Sequence, residues 1–244
     1  MQIKTTQISA FMSYFNGIST MINNANLEFN KDSGITIKEI DKTGRVFIYA
    51  KFDKDCFETW NVDSNLTIGV DIAKFCACLK KGQNYDYITL DFDSNSIKVI
   101  FDSHHNKLKK TYTLKVLNIP NNSAGITPID FTYKVTLKSS DFYDYCKDIS
   151  RYSDKLRIRI IPNEMTLSSG DDSIEVVRKT GTKFSIECND DKPLDISYDL
   201  PLLLLFTNCS NLSENVDIFI KDGYPIILCY KLASLGELKM VLNR

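Results

Sequence analysis

"VDIAKFCACLKK" (residues 70–81) and "YDYITLDFDSNSIKVIF" (residues 85–101) are a short helical pattern and a hairpin in succession. Asp71 opens the helical pattern, and the second stretch alternates apolar and polar residues on both sides of Asp-Ser-Asn-Ser, which predicts a strand, a tight turn and a strand. The arrangement returns in the second half of the chain, where "YDLPLLLLFTN" (198–208) is helical from Asp199 and "ENVDIFIKDGYPIILCY" (214–230) alternates around Lys-Asp-Gly. The chain therefore carries this helix-hairpin unit twice.

The repetition extends back to the start of each half. "ISAFMSYFNGISTMI" (8–22) and "SSDFYDYCKDIS" (139–150) each place apolar residues on one helical face, and Ser140 is the expected N-cap of the second helix. Strand meanders follow both helices, in residues 25–52 and 155–179. The sequence thus predicts two copies of one plan, helix, strands, helix and strands, with roughly 125 residues in each copy.

The stretch "LKVLNIPNNSAGITPIDF" (114–131) joins the two copies. Its prolines, asparagines and glycine are typical of a linker, and its regularly placed apolar residues indicate a segment that lies on a surface. We therefore predict an N-terminal domain over residues 1–115, an interdomain connector over 116–130 and a C-terminal domain over 131–244.

Composition and motifs argue against most kinds of enzyme. With 43% hydrophobic and 25% charged residues the chain is ordinary globular material, and the sequence shows neither a signal peptide nor a membrane span, so we expect an intracellular protein. The seven cysteines, an odd number, are expected to be free thiols. His104 and His105 are adjacent and would point to opposite sides of a strand. We predict no catalytic residues, no metal site and no cofactor.

Three stretches carry a resemblance to a known family. They are Phe57, Trp60, Asp63, Leu66, Gly69 and Val70 in order, the connector with Gly125 and Ile126, and "YPIILCYKLASLGELKMVL" (224–242) with Pro225, Tyr230, Lys231, Gly236 and Leu238. Together they resemble the proliferating cell nuclear antigen (PCNA) family of DNA sliding clamps, over essentially the whole chain. The abundance of Lys, Asn and Ile indicates a divergent member from a large DNA virus or a protist.

The resemblance implies an α+β fold with two similar clamp domains, antiparallel sheets outside and four short helices facing a central hole. Three identical subunits are expected to close head to tail into a ring by pairing of sheet edges, which removes exposed edges. The expected edges are residues 109–117 of one subunit and 173–179 of the next. The predicted subunit-interface residues are Tyr112, Leu114, Ile174 and Val176.

The implied function is that of a DNA sliding clamp, which encircles duplex DNA, is a processivity factor for DNA polymerase and is a docking platform for replication and repair proteins. The expected partners are double-stranded DNA, further copies of the chain, DNA polymerase and other proteins carrying a PCNA-interacting peptide, and a clamp loader; no membrane is involved. The expected location is the nucleus or, for a viral member, the host nucleus or a cytoplasmic replication site.

The resemblance also implies an apolar groove for the partner peptide. Carried over position by position, it draws on an early hairpin, the connector and the residues around the last two strands. The predicted groove residues are Ile40, Phe47, Ala124, Gly125, Ile126, Phe131, Pro225 and Val241. For Ile40, Phe47 and Pro225 a place in the domain core is the competing interpretation.

The basic residues expected on the DNA-facing helices are few. The first and fourth helical patterns have none, and Pro201 stands where the family often has a basic residue. The predicted DNA-binding residues are Lys74, Lys80, Lys81, Lys107, Lys147 and Arg151. Because phosphate contacts set the salt dependence of DNA binding, we expect a weaker and less salt-sensitive hold on DNA than a typical member shows.

Two other functions remain open from the sequence. The chain can be a clamp-like subunit of a heterotrimeric ring, or a viral transcription or repair adaptor with weak DNA binding, which the scarcity of basic residues supports. A thiol hydrolase built from a cysteine and a histidine of "SHH" (103–105) is the enzymatic alternative, although no orienting third group is visible.

Overall fold

The structure is a computed structural model that describes residues 1–93, 95–103, 107–121, 125, 130–171, 173–189, 192–232 and 234–243. His104, His105, Ala124 and Ile126, which figure in the predictions above, lie outside the described residues. Within those ranges, no helix is both long and apolar enough to cross a membrane.

The chain divides into two compact units. The first comprises Met1–Asp41, Ile48–Gly125 and Leu232–Leu238, and the second comprises Lys42–Phe47, Ile126–Lys231 and Lys239–Arg244. Short segments thus belong to the unit that the other half of the chain mainly builds. The domain boundaries predicted from the sequence follow chain order alone and stay a prediction.

Among the described residues, the first half of the chain has nine strands and two α-helices. They are β1 (Gln2–Thr5), α1 (Ile8–Ile18), β2 (Asn24–Asn30), β3 (Gly34–Ile40), β4 (Val46–Asp53), β5 (Thr59–Asn61), β6 (Leu66–Asp71), α2 (Ile72–Leu79), β7 (Tyr87–Phe92), β8 (Ser96–Ser103) and β9 (Leu108–Lys115). One run of hydrogen-bonded strands has the order β5-β1-β7-β8-β9 and another has the order β6-β2-β3-β4. The described strand pairs are antiparallel.

An aromatic cluster forms the core beneath α1 and α2. Rings of Tyr14 and Phe52 lie with centroids 4.8 Å apart in an edge-to-face arrangement. Phe15 and Phe75 join α1 to α2 at the same centroid distance, 4.8 Å. Because Phe11, Tyr14, Phe15 and Ile18 recur at helical spacing, one face of α1 is buried, as the sequence predicts.

The second half repeats these elements. They are β10 (Tyr133–Lys138), α3 (Ser139–Ile149), β11 (Lys155–Ile161), β12 (Glu164–Ser169), β13 (Glu175–Lys179), β14 (Phe184–Cys188), β15 (Leu194–Asp199), α4 (Leu200–Thr207), β16 (Asn215–Ile220), β17 (Ile226–Lys231) and β18 (Gly236–Leu242). Runs of neighbouring strands have the orders β14-β10-β16-β17 and β13-β12-β11-β15. The helices have the same lengths in both halves, 11 residues for α1 and α3 and 8 for α2 and α4. The predicted duplication is confirmed.

The last strand, β18, lies beside β4. In the first unit the Asp53 amide donates to the Leu235 carbonyl, and in the second the Asn243 amide donates to the Arg45 carbonyl, both at 2.9 Å. Gly236 has a φ of +147°, and a Cβ on it would lie 1.9 Å from the Lys51 carbonyl oxygen. The ninth strand of the second copy is therefore paired with the fourth strand of the first.

Helix starts differ in detail from the sequence-based expectation. Helix α3 begins at Ser139, so Ser140 lies inside the helix and the prediction that it is the N-cap is wrong. Asp71 caps α2 by accepting from the Lys74 amide at 3.0 Å. Asp199 occupies the corresponding position before α4 without making a cap hydrogen bond; Arg45 Nη1 lies 2.9 Å from its Oδ2. This carboxylate therefore takes part in an ion pair and not in a helix cap.

Candidate functional site

Two strands end their sheets at the places predicted for subunit contact. Strand β9 is the last strand of the order β5-β1-β7-β8-β9, and β13 is the first of the order β13-β12-β11-β15. Each therefore has one described neighbour and one row of backbone groups that faces away from its sheet. The predicted interface residues Tyr112, Leu114, Ile174 and Val176 are all half-buried.

Edge strand β13 is held in place by Arg178. Its guanidinium donates to the Tyr145 hydroxyl of α3 at 2.9 Å, and Nη1 lies 3.7 Å from the Asp141 carboxylate. The same group stacks near the Phe184 ring, 5.6 Å from its centroid. These contacts fix the edge strand against the helix, so its unpaired backbone groups are already ordered before another strand binds.

All six predicted DNA-binding residues are exposed. On α2, the Lys74 ammonium lies 2.9 Å from the carboxylate of Asp71, the residue before the helix. Lys80 and Lys81 lie in a short 3-10 turn that follows this helix. Neither Lys80 nor Lys81 has an ion-pair partner within 4 Å among the described residues. These two lysines leave a positive charge at the end of α2 that no described carboxylate offsets.

The remaining helices offer less positive charge. On α3 the Lys147 ammonium lies 5.4 Å from the Tyr143 ring centroid, and Arg151 is 3.9 Å from Asp148. Asp144 and Asp148 are exposed on the same helix. Helices α1 and α4 carry no charged side chain, and the exposed or half-exposed positions of α4 are Pro201 and leucines. The assignment of the six residues to DNA stays a prediction.

The described groove residues differ in exposure. Ile40 in the first unit is 42% exposed, which is not the state of a core residue. In the second unit Phe47 and Val241 are each 9% exposed, so both are largely buried. Phe131 and Pro225 are half-buried, and the Phe131 ring packs at 5.4 Å on that of Phe219. The groove stays a prediction.

The start of the connector is attached to strand β6. The Leu117 amide donates to the Gly69 carbonyl at 2.8 Å and forms an isolated antiparallel bridge. A Cβ on Gly69 would lie 2.2 Å from the Leu117 carbonyl oxygen and 3.0 Å from the Ile119 side chain. Only glycine allows this approach without a shift of the connector.

Asn26 holds the same segment from the neighbouring strand. It is the cross-strand partner of Gly69, and its side-chain amide donates to the carbonyls of Ile119 and Pro120 at 3.2 and 3.3 Å and to Asn121 Oδ1 at 3.2 Å. The alternation in "NANLEFN" (24–30) predicts an exposed asparagine, yet Asn26 is 4% exposed because the connector covers it. Asn26 is not among the residues predicted from the sequence.

Glu39 supports Asn26 from strand β3. Glu39 Oε1 accepts a hydrogen bond from the backbone N–H of Asn26 at 2.8 Å. Burial of the carboxylate raises the Glu39 pKa above its ordinary value. The hydrogen bond from the Asn26 backbone works in the opposite direction, and the nearby charge of Glu28 adds a smaller increase.

The cysteines are poor candidates for a nucleophile. Burial raises the pKa of Cys78 and of Cys209 to about 12 and raises that of Cys146 further. The pKa of Cys56 is raised as well, mainly by burial. Because the thiolate is the reactive form, the raised pKa values of these four thiols make them weak nucleophiles at neutral pH. Within the described part of the chain, no group of three or more His, Cys, Asp or Glu residues is placed to hold a metal ion.

Comparison with known proteins agrees with this architecture. Residues 1–124 match the family model "Proliferating cell nuclear antigen, N-terminal domain", and residues 125–244 match the model of its C-terminal domain. The chain is 23% identical, over 249 aligned positions, to the probable DNA polymerase sliding clamp 1 of Paramecium bursaria Chlorella virus 1, an alignment that covers 98% of this chain and 95% of that protein. Both findings support a DNA sliding-clamp function, carried out by a family that is a non-enzymatic scaffold. The chain belongs to the proliferating cell nuclear antigen family.

Proposed function

We propose that three copies of this chain close into a ring around duplex DNA, in which β9 of each copy pairs with β13 of the next. The ring is a processivity factor for DNA polymerase and a docking platform for replication and repair proteins. A clamp loader would open it on DNA, in the nucleus or, for a viral protein, at the host's nuclear or cytoplasmic site of replication.

The pairing of β18 with β4 is the observation that carries this proposal. It joins the ninth strand of one copy of the repeat to the fourth strand of the other. Strands β9 and β13 are the remaining ninth and fourth strands, and both end their sheets. In the proposed ring, β9 pairs with β13 of a second chain in the way that β18 pairs with β4 within one chain. Because the contact is head to tail, it is heterologous, and it gives a closed ring when the rotation between successive copies divides a full turn.

Topological linkage is the proposed means of holding DNA. Lys80, Lys81 and the other exposed basic residues supply attraction to phosphates without reading the base sequence. Since α1 and α4 are uncharged, the ring slides on few contacts. Polymerases and other partners would bind through a PCNA-interacting peptide at the groove predicted around the connector.

Solution mass by light scattering tests the ring. Untagged protein should show three times 27.9 kDa at micromolar concentration and retain that mass through a dilution series. Val176→Asp on β13 should give a monomer, because it places an unpaired charge in the new junction. Ile161→Asp, an aliphatic residue 40% exposed on β11, is the matched control and should remain trimeric.

A wild-type monomer at all concentrations would overturn the self-closing ring. The neutral outer faces of α1 and α4 favour, as the second candidate, a clamp-like subunit of a mixed ring. Such a subunit would gain a trimer's mass only when a different clamp subunit is added, which the same instrument measures.

A further inference from the structure

The connector is fixed before its central part by one buried side chain. An asparagine side-chain amide has two hydrogens, and that of Asn26 has three acceptor oxygens within 3.3 Å, all in residues 119–121. At least one hydrogen is therefore shared between two acceptors. Leu117, two residues earlier, is paired with Gly69. Four of five consecutive connector residues, 117 and 119–121, are thus hydrogen-bonded to two residues that face each other across β2 and β6.

Packing alone would not require a donor at position 26. Its neighbours in β2 that face the core, Ala25 and Leu27, are apolar and almost fully buried. An apolar residue at position 26 would fill space but leave the Ile119 and Pro120 carbonyls without this donor. The side-chain amide of Asn26 therefore determines the direction of the connector backbone, because it requires the carbonyls of Ile119 and Pro120 to point towards β2.

We propose that Asn26 is a positioning residue for partner binding, which holds Leu117–Asn121 in one conformation before the partner peptide binds. The inference rests on the proposed function, since it assigns Asn26 to the support of the partner groove predicted around the connector. A pre-ordered connector avoids the loss of conformational freedom that a loose one would undergo on binding. If the connector is ordered for only a fraction of the time, the apparent affinity falls by that fraction.

The test combines Asn26→Ala with a matched control, Asn24→Ala, which removes an exposed asparagine from the same strand. Hydrogen exchange is followed at the Leu117 amide, which donates to the Gly69 carbonyl, and binding of a fluorescein-labelled PCNA-interacting peptide is followed by anisotropy. Trimer mass and DNA retention are measured on the same samples. Asn121→Ala, on the exposed connector itself, is a second variant that removes one acceptor without opening the core.

For Asn26→Ala we expect exchange of the Leu117 amide to be about tenfold faster, because the segment that holds it opens more often, and the peptide Kd to be weaker by about three- to tenfold. Trimer mass and DNA retention should equal those of the wild type. Asn121→Ala should change both readouts in the same direction by less, and Asn24→Ala should change neither. That split between peptide and DNA binding would not arise from general destabilisation.

Three results would overturn the inference. If the wild type binds the peptide and Asn26→Ala binds it equally well, Asn26 has no positioning role although the partner groove stands. If the wild type does not bind the peptide at all, the proposed groove fails and the role of Asn26 fails with it. Should Asn26→Ala not fold, unchanged peptide affinity in Asn121→Ala overturns the inference in the same way.

Discussion

Removal of the two lysines after α2 should sharply reduce the salt dependence of DNA binding. Lys80 and Lys81 are exposed and have no carboxylate partner among the described residues, so both charges are available to phosphates. Removing one phosphate contact lowers the slope of log affinity against log salt by about 0.9. The double variant Lys80→Ala/Lys81→Ala removes two contacts if DNA is bound by one subunit and six if it is bound by all three. The magnitude of the slope should thus fall by about 1.8 or by about 5, respectively.

The assay is the anisotropy of a labelled linear duplex, titrated with the trimer at a series of salt concentrations. The comparison variant is Lys147→Ala/Arg151→Ala, on and just after α3, which removes the same charge from a place where Asp144 and Asp148 are exposed and Asp148 lies 3.9 Å from Arg151. We expect this variant to change the slope less. An unchanged slope for the Lys80/Lys81 variant, or an equal decrease for the α3 variant, would refute the assignment of DNA contact to α2.

Three further predictions concern the stability of the fold, and each is measured by chemical denaturation. Gly69→Ala should cost about 1–3 kcal/mol, because its Cβ would overlap a connector carbonyl, whereas Gly125→Ala, with nothing within 4 Å, should cost under about 0.5 kcal/mol. Burial raises the pKa of Glu39 in the folded state, so wild-type stability should increase as pH falls from above the folded pKa towards the ordinary value of 4.5; Glu39→Gln should flatten this dependence and be no less stable at pH 7. If the variant keeps the wild-type profile, another group is responsible. Arg45→Met should cost about 0.5–1 kcal/mol through its partly exposed ion pair with Asp199, and a double-mutant cycle with Asp199→Asn should recover that coupling; additive effects would mean that the pair contributes nothing.

The elements that could be predicted from the sequence are those with local signals. The buried face of α1 follows from residues at helical spacing, and the hairpin of β7 and β8 follows from alternation around a polar turn. Both signals depend on neighbours within a few positions. Because they recur in each half, the duplication was visible without knowledge of the pairing of distant strands.

The features that escaped prediction depend on distant contacts. Asn26 occupies an outward position by alternation, and only the crossing of the connector, 93 residues later, buries it. Asp199 has the sequence context of a helix cap, but Arg45, 154 residues earlier, binds its carboxylate. Neither partner is near in the chain. A periodic pattern therefore could not reveal either role.

The two copies of the repeat differ in the length of their fourth strand. Strand β4 has eight residues and β13 has five, although both are counterparts in the same plan. A shorter strand offers fewer ladder hydrogen bonds to a ninth strand. The proposed junction of β9 with β13 would join separate molecules, so it would lack the high effective concentration that a covalent connector gives to β18 and β4. In the proposed ring, the β9–β13 junction between molecules should therefore open before the β4–β18 junction within a molecule, and DNA would enter there.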